Sequence, residues 1–285
     1  MKKETVIQIT VLVLPLAILA GCRDEQEKKA DQDALVSVSL NNLVMVKGGA
    51  FLMGDFGPLV GEKLPFNPFP DTLLHRVVLS DFRIGKYRVT WGEFNRWLDL
   101  QGREENDYYR WTMDHKDPDF QSDKVYMGNN YPATVSWQDA RSYCQWLGQV
   151  SNRYMDLPTE AQWEYAARSR GQFRIYGNST DRWYYEDDPS INFTIYHAPV
   201  GSYPPNPLGL YDMMGNGSDW IKDWYAADYY KHSPGKDPQG PDTGDKKVHR
   251  PGNHDARSCT ISRNSKKPDN KWGSQFRCVE NSPLK

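Results

Sequence analysis

Cysteine and histidine are scarce in this 285-residue sequence, at four and six residues, and neither sign of charge prevails. With 35 basic against 37 acidic side chains the formal charge is −2, which gives no long-range pull toward nucleic acid or an anionic membrane surface. No short-period repeat runs along the chain, and no low-complexity break interrupts it beyond Leu43. One domain over residues 41–285 is therefore expected. What the chain has in quantity is aromatic residues: 13% of positions, with 17 Tyr and 10 Trp. Such content argues against disorder, and it is high enough for some rings to serve surface loops as well as the core.

The first residues address the compartment. Lys2 and Lys3 precede an apolar run from Val6 to Ala20, broken by Gln8, Thr10 and Pro15. A basic start, a short apolar stretch and small residues before a cleavage point describe a secretory signal over residues 1–21. The run is too short and too interrupted for a transmembrane helix. Leu19-Ala20-Gly21-Cys22 resembles a bacterial lipobox, which implies cleavage before Cys22 and lipid on that residue. By the same resemblance, Arg23 rather than Asp after the cysteine implies the periplasmic face of the outer membrane. Residues 23 to about 36 are charged and nearly free of large apolar groups, so 22–40 is read as a lipidated N-terminus and flexible tether. Cys144, Cys259 and Cys278 remain in the oxidising compartment, and an odd count leaves one thiol outside any bridge.

Three helix starts carry capping signals, in which a Ser or Thr and a residue three later satisfy the first turn. Thr90 with Glu93 precedes Phe94, Trp97 and Leu98 on one face. Ser136 with Asp139, an Asp in the usual Glu position, precedes Ala140, Tyr143, Cys144 and Leu147 at helical spacing. Thr159 with Gln162 follows Pro158. Short strands are expected at 43–46, 77–79 and 82–84, with Gly- and Pro-rich loop over much of the rest.

Six motifs then stand in order: K-G-G-A-F-L-M-G-D (47–55), R-I-G-K-Y-R-V-T-W-G-E-F (83–94), P-A-T-V-S-W-Q-D-A-R-S-Y-C-Q-W-L (132–147), L-P-T-E-A-Q-W-E-Y-A-A-R (157–168), P-V-G-S-Y-P-P-N-P-L-G-L-Y-D-M-M-G-N (199–216) and F-R-C (276–278). Together they resemble the formylglycine-generating enzyme (sulfatase-modifying factor) family from about residue 43 to 279. The resemblance implies an α+β fold, related to C-type lectins, compact and rich in irregular loop. It also implies a bridge between Cys144 and Cys278. Its calcium motif falls on Gly215-Asn216-Gly217-Ser218-Asp219-Trp220, which makes Asn216, Gly217 and Asp219 the expected ligands of a structural Ca²⁺. Asp187, Asp188 and Asn192 lie in the region of the family's other calcium site.

Active members oxidise a substrate cysteine to formylglycine with copper held by two cysteines, a soft pair suited to Cu(I). The matching stretch here is R-P-G-N-H-D-A-R-S-C (250–259), followed by Arg263. It holds one cysteine, so no copper is expected, and Cys259 with His254 is only a weak catalytic candidate. Two segments exceed the family pattern. Residues 101–130 interleave charges with Tyr108, Tyr109, Trp111, Phe120 and Tyr126, and 182–188 hold Trp183, Tyr184 and Tyr185. Aromatic loops with charged rims suit a protein interface. The leading expectation is a non-catalytic, tethered periplasmic binding protein. By analogy with family lipoproteins encoded beside type VI secretion lipase effectors, it would be an immunity protein whose partner is a secreted lipase. The alternatives are a cysteine- or metal-dependent oxidase or sulfatase-maturation enzyme of the same family, using Cys259 with His254 or His249, and a carbohydrate- or cell-wall-binding module.

Overall fold

The structure, a computed structural model, describes residues 25–64, 72–116, 124–181, 198–251, 259–270 and 272–282. Strand β1 (Leu43–Val46) runs antiparallel to β4 (Phe82–Gly85), with Val46 opposite Phe82. Strand β9 (Val279–Asn281) lies between β4 and β5 (Tyr154–Asp156), giving the order β1-β4-β9-β5. The far end of the chain thus fills the interior of a sheet that its first strand begins. Strands β2 (Gly49–Met53) and β3 (His75–Leu79) form a second ladder; alternation turns Phe51, Met53, Val77 and Leu79 inward. A third sheet joins β6 (Asp219–Trp224), β7 (Lys247–Arg250) and β8 (Asn264–Lys266).

A single-turn helix, α2 (Gly57–Val60), follows β2, and the longer helices start where their caps place them. In α3 (Trp91–Leu100) the Thr90 hydroxyl accepts the Glu93 N–H while the Glu93 carboxylate accepts the Thr90 N–H. Thr159 and Gln162 make the same reciprocal pair for α6 (Glu160–Ala167). For α5 (Trp137–Ser151) only half forms. Ser136 accepts the Asp139 N–H, but the shorter Asp139 carboxylate takes the Ser136 hydroxyl instead of its N–H.

Phe94, Trp97 and Leu98 of α3 meet Ala140, Tyr143 and Leu147 of α5, with Trp220 and Phe276, in one core. Tyr143 stands edge-on to Phe276 at 5.6 Å, and such pairs add about 0.5–1.5 kcal/mol beyond the area they bury. Cys144 and Cys278 are joined across this core with Cα atoms 5.4 Å apart, closing a sequence separation of 134. A second core packs β2 and β3 against α6, Ile221 and Val248.

Two segments depart from expectation. Residues 25–41, expected largely as a flexible tether, form α1 (Glu25–Asn41). Its one buried residue is Leu35, and polar ties complete the docking: Asp31 pairs with Arg96 at 3.4 Å and Ser39 bonds the Tyr143 hydroxyl at 3.1 Å. Val36 and Leu40, partly buried, pack against the same core, and a helix with so small an apolar face shows little apolar periodicity, which is why composition disguised it. The aromatic extension also holds a helix, α4 (Asp107–Asp114), whose cap Asn106 accepts the N–H groups of Tyr108 and Tyr109. Among the described residues no helix is long and apolar enough to cross a membrane. Cys22 lies outside the described residues.

Candidate functional site

Helix α6 is buried over its whole length. Glu160, Glu164 and the following Arg168 are spaced by four, so the helix projects all three from one face into the interior. Strand β7 ends on Arg250, whose guanidinium donates to Glu160 at 3.1 Å and to Glu164 at 2.8 Å. Arg263 holds Glu160 by two bonds of 2.8 and 2.9 Å, and Arg168 donates to Glu164 at 2.8 Å. The Gly54 N–H adds a further bond to Glu164 at 2.9 Å. Two carboxylates and three guanidiniums share this network, and charges at that depth are tolerated because each carboxylate is matched by guanidiniums, although Arg250 Nε itself has no hydrogen bond. Next to it, Asp223 accepts the Glu160 N–H at 3.1 Å. Burial, and then the Glu160 charge, push the Asp223 carboxyl up to about 7.

Cys259 lies against this network. Arg250 donates to the carbonyl of its neighbour Thr260 at 2.7 Å. The thiol is packed with Phe56, Leu64 and Ile261 and is 1% exposed. Ser262 Oγ accepts the Cys259 N–H at 2.9 Å and stands 3.4 Å from Sγ. Burial pushes the thiol up from its ordinary value, against the hydrogen bond from Ser262. Such a thiol is protonated and poorly nucleophilic at neutral pH. His254 and Asp255 lie outside the described residues, and His249 packs against Trp220 with ring centres 6.2 Å apart. A copper site of the kind expected for active relatives needs two thiolates. Cys144 and Cys278 are bonded to each other, so Cys259 is the one thiol among the described residues. The residues do not fit that metal.

The expected calcium ligands also have other duties. Asp219 is fully buried, and its carboxylate accepts Arg88 Nε at 2.9 Å, Trp163 Nε1 at 2.8 Å and Arg277 Nε at 3.1 Å. The remaining Arg88 donors reach the carbonyls of Gly215 (3.0 Å), Asn216 (2.6 Å) and Gly217 (3.2 Å), and Asp219 again at 3.5 Å. All five guanidinium N–H groups are thereby used. Burial alone would raise the Asp219 carboxyl, but the Arg277 and Arg88 charges hold it below its ordinary value. The Asn216 amide exchanges both its bonds with the Ala198 backbone, at 2.9 and 3.0 Å. The residues expected to ligate calcium thus make protein contacts here: the Arg88 guanidinium bonds Asp219 and the carbonyls of Gly215, Asn216 and Gly217, and a divalent cation at Asp219 would meet the fixed charges of Arg88 and Arg277.

The aromatic extension divides. Tyr109 turns inward, its ring 4.9 Å from Trp91. Tyr108 and Trp111 both stand edge-on to Trp272, at 5.6 and 6.0 Å, and Trp111 and Trp272 are 42% and 52% exposed. Trp183, Tyr184, Tyr185, Asp187, Asp188 and Asn192 lie outside the described residues.

A family model described as the sulfatase-modifying factor enzyme 1-like domain matches residues 28–282. The chain belongs to the sulfatase-modifying factor family. Within that family, it is 38% identical over 176 residues to the formylglycine-generating enzyme of Streptomyces coelicolor, covering 54% of each protein. It is 33% identical over 221 residues to the serine/threonine-protein kinase pkn1 of Chlamydia pneumoniae, covering 75% of this chain and 33% of that protein. The chain thus spans about a third of the kinase relative and about half of the Streptomyces enzyme. Among solved structures it resembles PvdO from Pseudomonas aeruginosa with TM-score 0.61 and 26% identity, covering 84% of this chain and 94% of that one.

Glu160, Glu164, Arg168 and Arg88 were not singled out as site residues from the sequence. The legible signal was in L-P-T-E-A-Q-W-E-Y-A-A-R, where charges recur every fourth residue on a helix otherwise built of uncharged side chains. Such a row faces either solvent or a set of buried counter-charges, and Arg250 and Arg263 lie 86 or more residues away.

Proposed function

We propose that this sulfatase-modifying factor family member is a non-catalytic binding protein of the periplasm, held to the outer membrane by lipid on Cys22. The observation that carries this reading is the condition of its thiols. Two are consumed in the Cys144–Cys278 bridge, and Cys259 is buried, protonated and enclosed by Phe56, Leu64 and Ile261. The binding face is α4 with Trp272. Trp111 and Trp272 present exposed rings, flanked by the ion pairs of Arg110 with Glu104 at 2.9 Å and with Asp107 at 2.7 Å. Rigid rings offer area at small entropic cost, and charged rims fix orientation. The partner in this reading is a secreted lipase effector encoded beside the chain's own gene.

Titrating that lipase with the purified protein and reading its hydrolytic activity tests the proposal. Trp111→Ala and Trp272→Ala should weaken inhibition at least tenfold while melting within a degree or two of wild type, as expected of hot-spot truncations. Cys259→Ala should inhibit like wild type. Inhibition lost in Cys259→Ala and kept in both tryptophan variants would sink the reading.

A further inference from the structure

A cleft of about 290 Å³ lies between α1 and the body of the domain, a volume suited to a small organic molecule. Leu35 and Val38 of α1, the Tyr87 ring and Val200 make its apolar walls. A smaller recess, lined in part by Tyr143 and Leu147, adjoins it and shares Asn42, Tyr87, Arg88 and Glu93. Glu93 is thus common to both spaces.

The charges along this cleft are unequal in their commitments. Arg88 spends its donors on Asp219 and on the carbonyls of residues 215–217. Arg96, at the rim, is paired with Asp31 of α1. Glu93 uses Oε2 for the cap of α3, accepting both the N–H and the hydroxyl of Thr90 at 2.9 Å. Its Oε1 receives no hydrogen bond from the described residues, though the carboxyl lies at the junction of the two recesses. Burial pushes that carboxyl up from its ordinary value, partly opposed by the two Thr90 bonds. A bound cation would relieve that cost, and a bound anion would increase it.

We propose that the cleft beneath α1 binds a small organic amine, its ammonium on Glu93 Oε1 and its carbon chain along Leu35, Val38 and Tyr87. The site lies apart from the tryptophan face and the Cys259 network, and nothing in it depends on the proposed inhibitory role.

Straight-chain alkylamines from ethyl to hexyl serve as probes, with the alcohols and carboxylates of equal length as controls, and calorimetric titration and melting temperature as readouts. Amines should bind saturably and raise the melting temperature, because a ligand of the folded state alone stabilises it. The alcohols and carboxylates should bind at least tenfold more weakly. Glu93→Gln keeps an N3 side chain able to complete the cap, so it should fold as wild type and lose amine binding at least tenfold. Val38→Trp, on the open side of α1, fills the cleft without touching the cap and should also abolish binding. Equal binding of amines and alcohols, amine binding unchanged in both variants, or no binding by any amine would each overturn the proposal.

Discussion

Asp219, expected from its motif as a calcium ligand, is placed as the counter-ion of two arginines. Its neighbours Arg88 and Arg277 are both fully buried, and Asp219 is the acid that bonds both of them. Removing one member of a buried pair leaves an uncompensated charge, which costs about 3–5 kcal/mol. Asp219→Ala should lose that much stability in urea titrations, and equally in calcium and in chelator. A loss seen only in calcium would return the site to the metal. Asp223 gives a second test, in pH. Its folded-state carboxyl lies at about 7, against about 4 in the unfolded chain. Between those values the folded protein holds the extra proton, so stability should fall as pH rises from about 4 to 7. Asp223→Asn keeps an acceptor for the Glu160 N–H and should flatten that slope, leaving the variant more stable than wild type at pH 8 by a few kcal/mol, on the order of 1.4 per pKa unit. Urea midpoints across pH 5 to 8 measure it; a parallel slope in the variant would contradict the assignment.

At the scale of elements, caps and apolar spacing made α3, α5 and α6 legible, because each announces itself within one turn of its own sequence. The same local logic failed for α1. Its segment has the composition of a tether, and what orders it is distant: Arg96 for Asp31, Tyr143 for Ser39, and a core position for Leu35. The site divided in the same way. Asn216 and Asp219 were visible as oxygen-bearing residues in a motif, but nothing adjacent showed that Arg88, 131 residues before Asp219, would bring the cation. Leu35 tests the helix directly. Leu35→Ala removes its single buried anchor and should cost about 2 kcal/mol or more. Amide exchange should then quicken across 25–41 while α5 stays protected. Unchanged exchange in α1 would mean that its docking rests on Val36, Leu40 and the polar ties.

Over the whole molecule, the chain keeps the family's scaffold while its thiols serve structure. Sheet β1-β4-β9-β5 and the Cys144–Cys278 bridge tie the last residues to the first half of the fold. Disulfides typically contribute about 2–4 kcal/mol, so reduction should lower the melting temperature without unfolding the domain at room temperature. Cys259 should stay unreactive to iodoacetamide in the native state and react once urea unfolds the chain. The most direct test of the non-catalytic reading is an oxidation assay. The protein, its bridge intact, is loaded with Cu(I) and incubated in air with a cysteine peptide that an active family enzyme converts, and the peptide is read by mass spectrometry. No aldehyde should form with wild type or with Cys259→Ala, the peptide being recovered as thiol or as the disulfide that copper and air give any free thiol. An aldehyde product formed by wild type and lost in Cys259→Ala would contradict the account.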